Sequence, residues 1–326
     1  MSPVIDFHVH IGGIDPKATG CFMSGAQKTY LRGEMPLGLR AQFRIAEWFG
    51  ILDSQVRKRL LGFIEEAQDI DHAVVLAIDG VYDREGSLDR ERTGFFVPND
   101  YVIGLKTLCP KVIPAASVNP MRRDWSDELD RVAAAGVRVI KWLPSSQLFD
   151  PAESRFAGFY RKLVDLKLIL LSHTGFEHTM VSTTKESQEY GHPLRLLRAL
   201  DAGVVVVMAH SGTSGGKDEP EYFDDFVALA RRYPHLYGDM AAFTHWTRAK
   251  LLPEVLHHDW VHERLIHGSD ATLQPSVNEF AGRIDKETLA EIASWQNPIR
   301  KDLAIKRALG FPDAVFTRAA GLLGIS

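Results

Sequence analysis

Short runs of apolar, often β-branched residues recur along the chain, with amphipathic stretches between them. The runs are Val4–Ile11, Ala73–Ile78, Val112–Val118, Val137–Leu143, Leu168–Ser172, Val204–Ala209, Leu236–Met240 and Leu265–His267. Most are nearly all apolar, the pattern of strands buried on both faces of a parallel sheet. Between them, Ser126–Ala135 opens with Ser126 and Asp127, carries Leu129 and Val132 on one face, and stops at Gly136. Glycine suits the left-handed residue that ends a helix. Phe156–Leu166, Pro193–Asp201 and Tyr222–Tyr233 read the same way. Eight strands alternating with helices predict an α/β fold, a (β/α)8 TIM-like barrel, with an open doubly wound sheet as the other arrangement of this pattern.

Two regions exceed a minimal barrel. Residues 13–69, between the first two strands, hold a glycine-containing loop and then an apolar-periodic helical stretch from Leu39 to Ala67. Long loops after barrel strands sit over the C-terminal mouth, so this insertion is the expected lid. Residues 278–326 read as two or three helices after the last strand. No Pro-, Gly- or Ser-rich linker divides the chain, which predicts a single domain over residues 1–326.

Composition removes several function classes. The 326 residues carry a formal net charge of -4 and a sequence pI near 6.4, so nothing electrostatic favours a nucleic acid or an anionic membrane as partner. No charged leader precedes an apolar segment, and no run is long and apolar enough to span a bilayer. Cys21 and Cys109 are far apart in sequence and fit neither a disulfide framework nor a CxxC clip, so a reducing, cytoplasmic setting is expected. A small-molecule substrate and, as the commonest closed assembly, a homodimer complete this picture.

The chemistry begins in the first strand, Asp6-Phe7-His8-Val9-His10-Ile11. Residues two apart on a strand point to the same side, so His8 and His10 form half of a transition-metal site or a pair on an exposed edge. Polar residues at the carboxyl ends of the other strands supply candidates for the rest: Lys141 on the fourth, His173 on the fifth, His210 on the sixth and Asp270 after the eighth. Taken singly, Lys141 could snorkel, His173 cap a turn and Asp270 start a helix. Together they fall at one level of the inferred barrel, where barrel enzymes keep their catalytic groups.

On Asp6-Phe7-His8-Val9-His10, Val139-Ile140-Lys141-Trp142-Leu143-Pro144, Ser172-His173-Thr174-Gly175, Ala209-His210-Ser211-Gly212 and Gly268-Ser269-Asp270, the chain resembles the amidohydrolase superfamily, in particular its amidohydrolase-related (amidohydrolase 2) branch. The resemblance runs from the first strand to the last. It implies a divalent metal, commonly Zn2+, at the barrel mouth, with His8, His10, His173 and Asp270 as ligands. His210 is implied as a ligand of a second ion or as a catalytic histidine. Lys141, if carboxylated, would bridge two ions; as an ammonium it has no lone pair to give and would pair with a substrate carboxylate or pack. One ion and two ions both fit this set.

The resemblance implies hydrolysis of an amide, lactone or ester by metal-activated water, with Asp270 moving the proton and His210 stabilising an oxyanion or delivering a proton. The same residues also serve nonoxidative decarboxylases and hydratases, lyases acting on small carboxylic acids. Such a site needs cations for the substrate carboxylate, and Arg122, Arg123, Lys141 and Arg248 are the candidates, although exposed solvation is the default for the arginines. A barrel that keeps its ligands only as a structural clip is the third reading, but a domain of this size folds without a metal staple. Glu177 and His178 in the fifth loop are candidate substrate contacts, as are His245 and Trp246 in the seventh and Lys217 among the glycines after the sixth strand. Trp142 should point away from Lys141 and pack on a helix. His257, His258 and His262 lack the HExxH context of a zinc helix and receive no site.

Overall fold

In the computed structural model, which describes residues 2–34, 51–216, 219–271 and 273–325, all eight apolar runs form parallel barrel strands. They are β1 (Ile5–His10), β2 (His72–Leu76), β3 (Val112–Ala115), β4 (Val139–Trp142), β5 (Ile169–His173), β6 (Val206–Ala209), β7 (Leu236–Asp239) and β8 (Leu265–Ile266). Regular pairing gives one sheet in the order β1-β2-β3 and another in the order β4-β5-β6-β7-β8. Single bridges join their margins, Ala116 with Ile140 at one seam and Val9 with Ala271 at the other. The fold is the TIM-like α/β barrel rather than an open doubly wound sheet.

Alternation along the strands sorts the side chains into two cores. Ile5, Phe7, Val74, Leu76, Ala115, Val139, Ile169, Leu171, Val207, Ala209 and Ile266 fill the barrel interior. Ile140, Trp142, Leu170, Val206 and Met208 face outward to the helices. Trp142 packs there as expected, with ring centroids 4.8 Å from Phe149 and 5.2 Å from Phe159, and its indole N–H donates to the Val118 carbonyl at 2.7 Å.

Strand β1 breaks the alternation where function needs it. Ile5 and Phe7 belong to the interior core whereas Val9 and Ile11 belong to the outer one, because the register with β2 shifts between Asp6 and Val9. A bulge of this kind inverts the parity of everything after it. The even-numbered His8 and His10 therefore face the interior on a strand whose first half turns odd residues inward. Gly268 permits the close crossing at this point, since a Cβ there would lie 2.9 Å from that of His8.

The helices match the sequence reading closely: Trp125–Ala134 ends before Gly136 at φ +86°, and Ala157–Asp165 and Phe223–Arg232 lie between strands. Within Pro193–Asp201 the first residues form a 3-10 turn and Leu197–Asp201 a short α-helix. The tail forms three helices, Lys286–Ser294, Pro298–Ala308 and Asp313–Leu323. The last sets Ala319, Ala320 and Leu323 against the interior core. Of the helical stretch expected from Leu39 to Ala67, Leu52–Glu66 is helical and residues 39–50 lie outside the described residues, as does Lys217. The insertion reaches the barrel mouth through Phe22–Met23, which pairs with Phe95–Phe96, and through the helix Gly25–Glu34. Among the described residues no helix is long and apolar enough to cross a membrane.

Candidate metal centre and active site

At the carboxyl ends of the strands, the histidine pair meets the last strand's aspartate. His8 Nε2 and His10 Nε2 are 3.1 Å apart, and Asp270 Oδ1 lies 3.2 Å from His10 Nε2 and 3.6 Å from His8 Nε2. One donor atom from each of the three residues lies within 4.8 Å of the others, the spacing a single cation can span. Two imidazole nitrogens and one carboxylate oxygen suit zinc and similar first-row ions.

The protonation states fit such an ion. His8 Nδ1 donates to Asp239 Oδ2 at 2.7 Å, which leaves the Nε2 lone pair facing His10 and Asp270. Burial, with help from nearby Lys141, lowers the His8 pKa and keeps the ring neutral. Burial alone would raise the Asp270 pKa; His10, His8 and His210 outweigh it and hold the group well below the usual carboxylate range. Lys141 Nζ donates to His8 Nε2 at 3.2 Å. Burial pushes its pKa down to about 8, so an amine with a free lone pair is within reach at neutral to mildly alkaline pH.

Asp239 was not singled out from the sequence, yet it organises the site. Besides holding His8, its carboxylate accepts from the backbone N–H of His210 at 2.7 Å and of Ala241 at 3.0 Å. The signal was the one acid inside the otherwise uncharged run Leu236–Met240.

His210 reaches the site by backbone strain. Ala209 faces inward, so a regular strand would turn His210 outward; instead His210 has φ +62° and Ser211 φ +51°. Asp270 also has φ +62°. Non-glycine residues in this left-handed region cost of order 1–3 kcal/mol each and concentrate at functional sites. The His210 ring centroid is 5.4 Å from that of His8 and 4.9 Å from that of His173. Its Nδ1 donates to the Ala241 carbonyl at 3.0 Å, so Nε2 keeps the lone pair. Burial, then Arg248, pushes the His210 pKa well down. With Nδ1 turned to that carbonyl, Nε2 is the atom that faces the cavity.

His173 lies in the same cavity but outside the His8–His10–Asp270 cluster. Its Nδ1 is 3.8 Å from Glu177 Oε2 and its Nε2 is 3.4 Å from the Phe176 carbonyl; burial dominates and lowers its pKa. Glu177 is buried and anchored by the Thr179 N–H at 2.6 Å. His178 sits at the cavity edge, paired with Glu219. His245 and Arg248 line the cavity as well, while Trp246 is mostly exposed.

Arg122 is not at this site. It pairs with Asp124 at 2.8 Å and Asp79 at 3.5 Å in a separate polar cleft that it shares with Asn99, Glu128 and Arg131. Arg123 is bound to the Glu85 carbonyl at 3.0 Å on the surface. Their position in the sequence, just past the third strand, did not reveal that both turn sideways. His262 is buried and donates to the Val255 carbonyl at 3.0 Å, a structural role consistent with no site there.

The cavity above the cluster measures about 430 Å³. Its rim includes Met23, Gln27 and Leu31 from the insertion, and the Gln27 amide donates to the Thr179 carbonyl at 2.6 Å. A family model described as amidohydrolase matches residues 66–301. The chain belongs to the amidohydrolase family. The match begins after β1, so the His8–His10 pair of this amidohydrolase is carried by the structure and its own motif. No curated protein matches the sequence.

Solved structures support the fold of this amidohydrolase at low identity. An uncharacterized TIM-barrel protein from Bordetella bronchiseptica superposes with a TM-score of 0.60 at 15% identity, covering 98% of this chain and 99% of that one. The 2,6-dihydroxybenzoate decarboxylase from Rhizobium gives 0.52 at 11%, covering 95% and 99%. The 5-carboxyvanillate decarboxylase from Novosphingobium aromaticivorans, with bound manganese, gives 0.51 at 14%, covering 99% and 97%.

Proposed function

We propose that the chain is a metal-dependent hydrolase that opens an amide, lactone or ester bond of a small molecule. The observation that carries this reading is the convergence of His8, His10 and Asp270 within 4.8 Å at the floor of a cavity. Those three residues would hold one divalent ion, zinc by donor chemistry, with His173 as a further ligand from across the cavity. Such an ion would supply Lewis acidity to the substrate carbonyl and to water.

The chain's own groups supply the rest. Asp270 is ionised and adjoins the attacking side, so it takes the proton of water and returns it to the leaving group. His210, neutral with its Nε2 lone pair free, holds a hydrogen of water or substrate in line. Asp239 fixes the tautomer of His8 and, through the His210 N–H, the place of the second ring. Asp239→Asn should therefore weaken metal retention about 10–100-fold. Equilibrium dialysis against a chelator series reads this; unchanged retention would show that Asp239 has no orienting role.

A second reading, a decarboxylase or hydratase, draws support from two buried cations beside the cluster, Lys141 and Arg248, and from the activities of two structural neighbours. The test is a panel of amides, lactones, esters and carboxylic acids followed for both hydrolysis and CO2 release. Hydrolysis is the expected result; CO2 release without hydrolysis overturns it in favour of the lyase.

A further inference from the structure

Gln27 ties the insertion to the loop after β5 at the barrel mouth. It is only 1% exposed, although it sits on the short helix Gly25–Glu34. Its amide N–H donates to the Thr179 carbonyl at 2.6 Å, and its amide oxygen accepts from the Val181 N–H at 2.8 Å. The side chain thus bonds residues two apart, as a residue of a neighbouring parallel strand would. One turn on, the Tyr30 hydroxyl donates to the His178 carbonyl at 2.7 Å. Gly94 leaves space for this clamp, since a Cβ there would lie 2.8 Å from Gln27 Oε1.

What the clamp holds in place is apolar. Met23 lies opposite Phe95 in the short ladder that Phe22–Met23 makes with Phe95–Phe96. Leu31 follows Gln27 by one helical turn, and both Met23 and Leu31 line the cavity. Phe95 reaches toward the histidines of β1: a Cβ on Gly12, two residues past His10, would lie 2.9 Å from its ring. The loop after β5 adds Phe176 and Met180 to the same wall. None of these side chains is charged, and the one polar group among them, the Gln27 amide, is engaged at both ends. The clamped loop also carries Glu177, which holds the Thr179 N–H at 2.6 Å beside His173.

We propose that Gln27 is the positioning residue of a specificity wall: it fixes Met23 and Leu31 as an apolar seat, so that the site selects substrates with a neutral, apolar acyl group. This deepens the hydrolase reading of the same cavity and rests on it. An acyl chain running along this wall meets apolar side chains, and each methylene it buries favours binding by up to about four-fold. A charged group there would lose its water without gaining a partner. A helix of ten residues is marginal by itself. Without the clamp the seat therefore loosens, while the cluster residues, on β1 and after β8, stay in place.

The test titrates metal-loaded wild type, Q27A and Y30F with acetohydroxamate, butanohydroxamate and hexanohydroxamate, which share an ion-binding head and differ in the tail. Wild-type affinity should rise about three- to four-fold per methylene. In Q27A the rise should fall below about 1.5-fold per methylene, with Y30F between the two. Hydrogen exchange reads the clamp itself. The Val181 amide should exchange faster in Q27A, and hexanohydroxamate but not acetohydroxamate should slow exchange across Gly25–Glu34 in wild type. A wild-type affinity independent of chain length overturns the proposal. So does a folded Q27A that keeps the full rise, whatever its melting midpoint; if Q27A does not fold, a full rise in Y30F overturns it instead. Metal content of the same samples separates the two readings. Wild type with no ion and no acetohydroxamate binding defeats the metal-dependent reading. Exchange across Gly25–Glu34 with hexanamide, which needs no ion, then decides the seat: protection supports it, and no protection overturns it.

Discussion

Asp270→Asn is expected to lower turnover by more than about a thousand-fold, within the range a lost general acid–base group produces, while leaving the unfolding transition in place. The side chain contributes charge and a proton-accepting oxygen; an amide of the same shape offers neither. The fold at this point depends on the backbone instead. The Asp270 N–H donates to the His8 carbonyl at 2.9 Å, and its own carbonyl accepts from Leu273 at 2.9 Å. Among residues with a Cβ, asparagine is also one of those that tolerate φ +62°, which alanine would hold only with strain. Steady-state kinetics and urea unfolding on one preparation check both halves. A variant with near-normal turnover contradicts the proposed role, and one that fails to fold shows the carboxylate is structural.

Lys306→Met should destabilise the protein by about 3–5 kcal/mol, the usual result of removing one partner from a buried ion pair. Lys306 is inaccessible to solvent and donates to Asp302 at 2.5 Å and to the Gly268 carbonyl at 2.8 Å. Asp302 also accepts from the Thr244 hydroxyl at 2.6 Å, which ties the C-terminal helices to the turn bearing Asp270. Burial raises the Asp302 pKa to about 6, even against Lys306. An acid raised in the folded state stabilises fully below its unfolded pKa, and that contribution fades as pH rises through the folded value. Without Lys306 the folded pKa climbs further, so the deficit of Lys306→Met should be larger at pH 8 than at pH 5. The double variant with Asp302→Asn should recover much of the loss. Urea unfolding at the two pH values measures this; a deficit that is absent, or larger at pH 5, contradicts the pairing.

Much of the architecture was legible because its determinants are local. The runs around Val74, Leu171 and Val207 are apolar and β-branched enough to read as interior strands without knowledge of their neighbours, and Gly136 marks a helix end by its own backbone freedom. His8, His10 and Asp270 were legible as chemistry because their residue types are few and their neighbours apolar. What the sequence concealed was set by contacts distant along the chain. The bulge that inverts β1 after Asp6 depends on its register with β2. The left-handed turn that swings His210 inward depends on the Ala241 carbonyl and Asp239. Arg122 and Arg248 look alike as residues in loops after strands, yet one pairs with Asp79 and Asp124 in a separate cleft while the other lines the cavity beside Asp270. That difference is a matter of tertiary placement. Asp302 and Lys306, four apart on a helix, are both buried, and nothing in their spacing separates them from an exposed i, i+4 pair.

If His8, His10 and Asp270 together hold a catalytic divalent ion, the metal content of the purified protein depends on all three. Mass spectrometry reads it for wild type, His8→Asn, His10→Asn, Asp270→Asn and Arg122→Gln. One divalent ion per chain is expected in wild type and in Arg122→Gln, with loss of that ion in each of the three cluster variants. An ion absent from wild type, or present undiminished when the cluster is substituted, would contradict it.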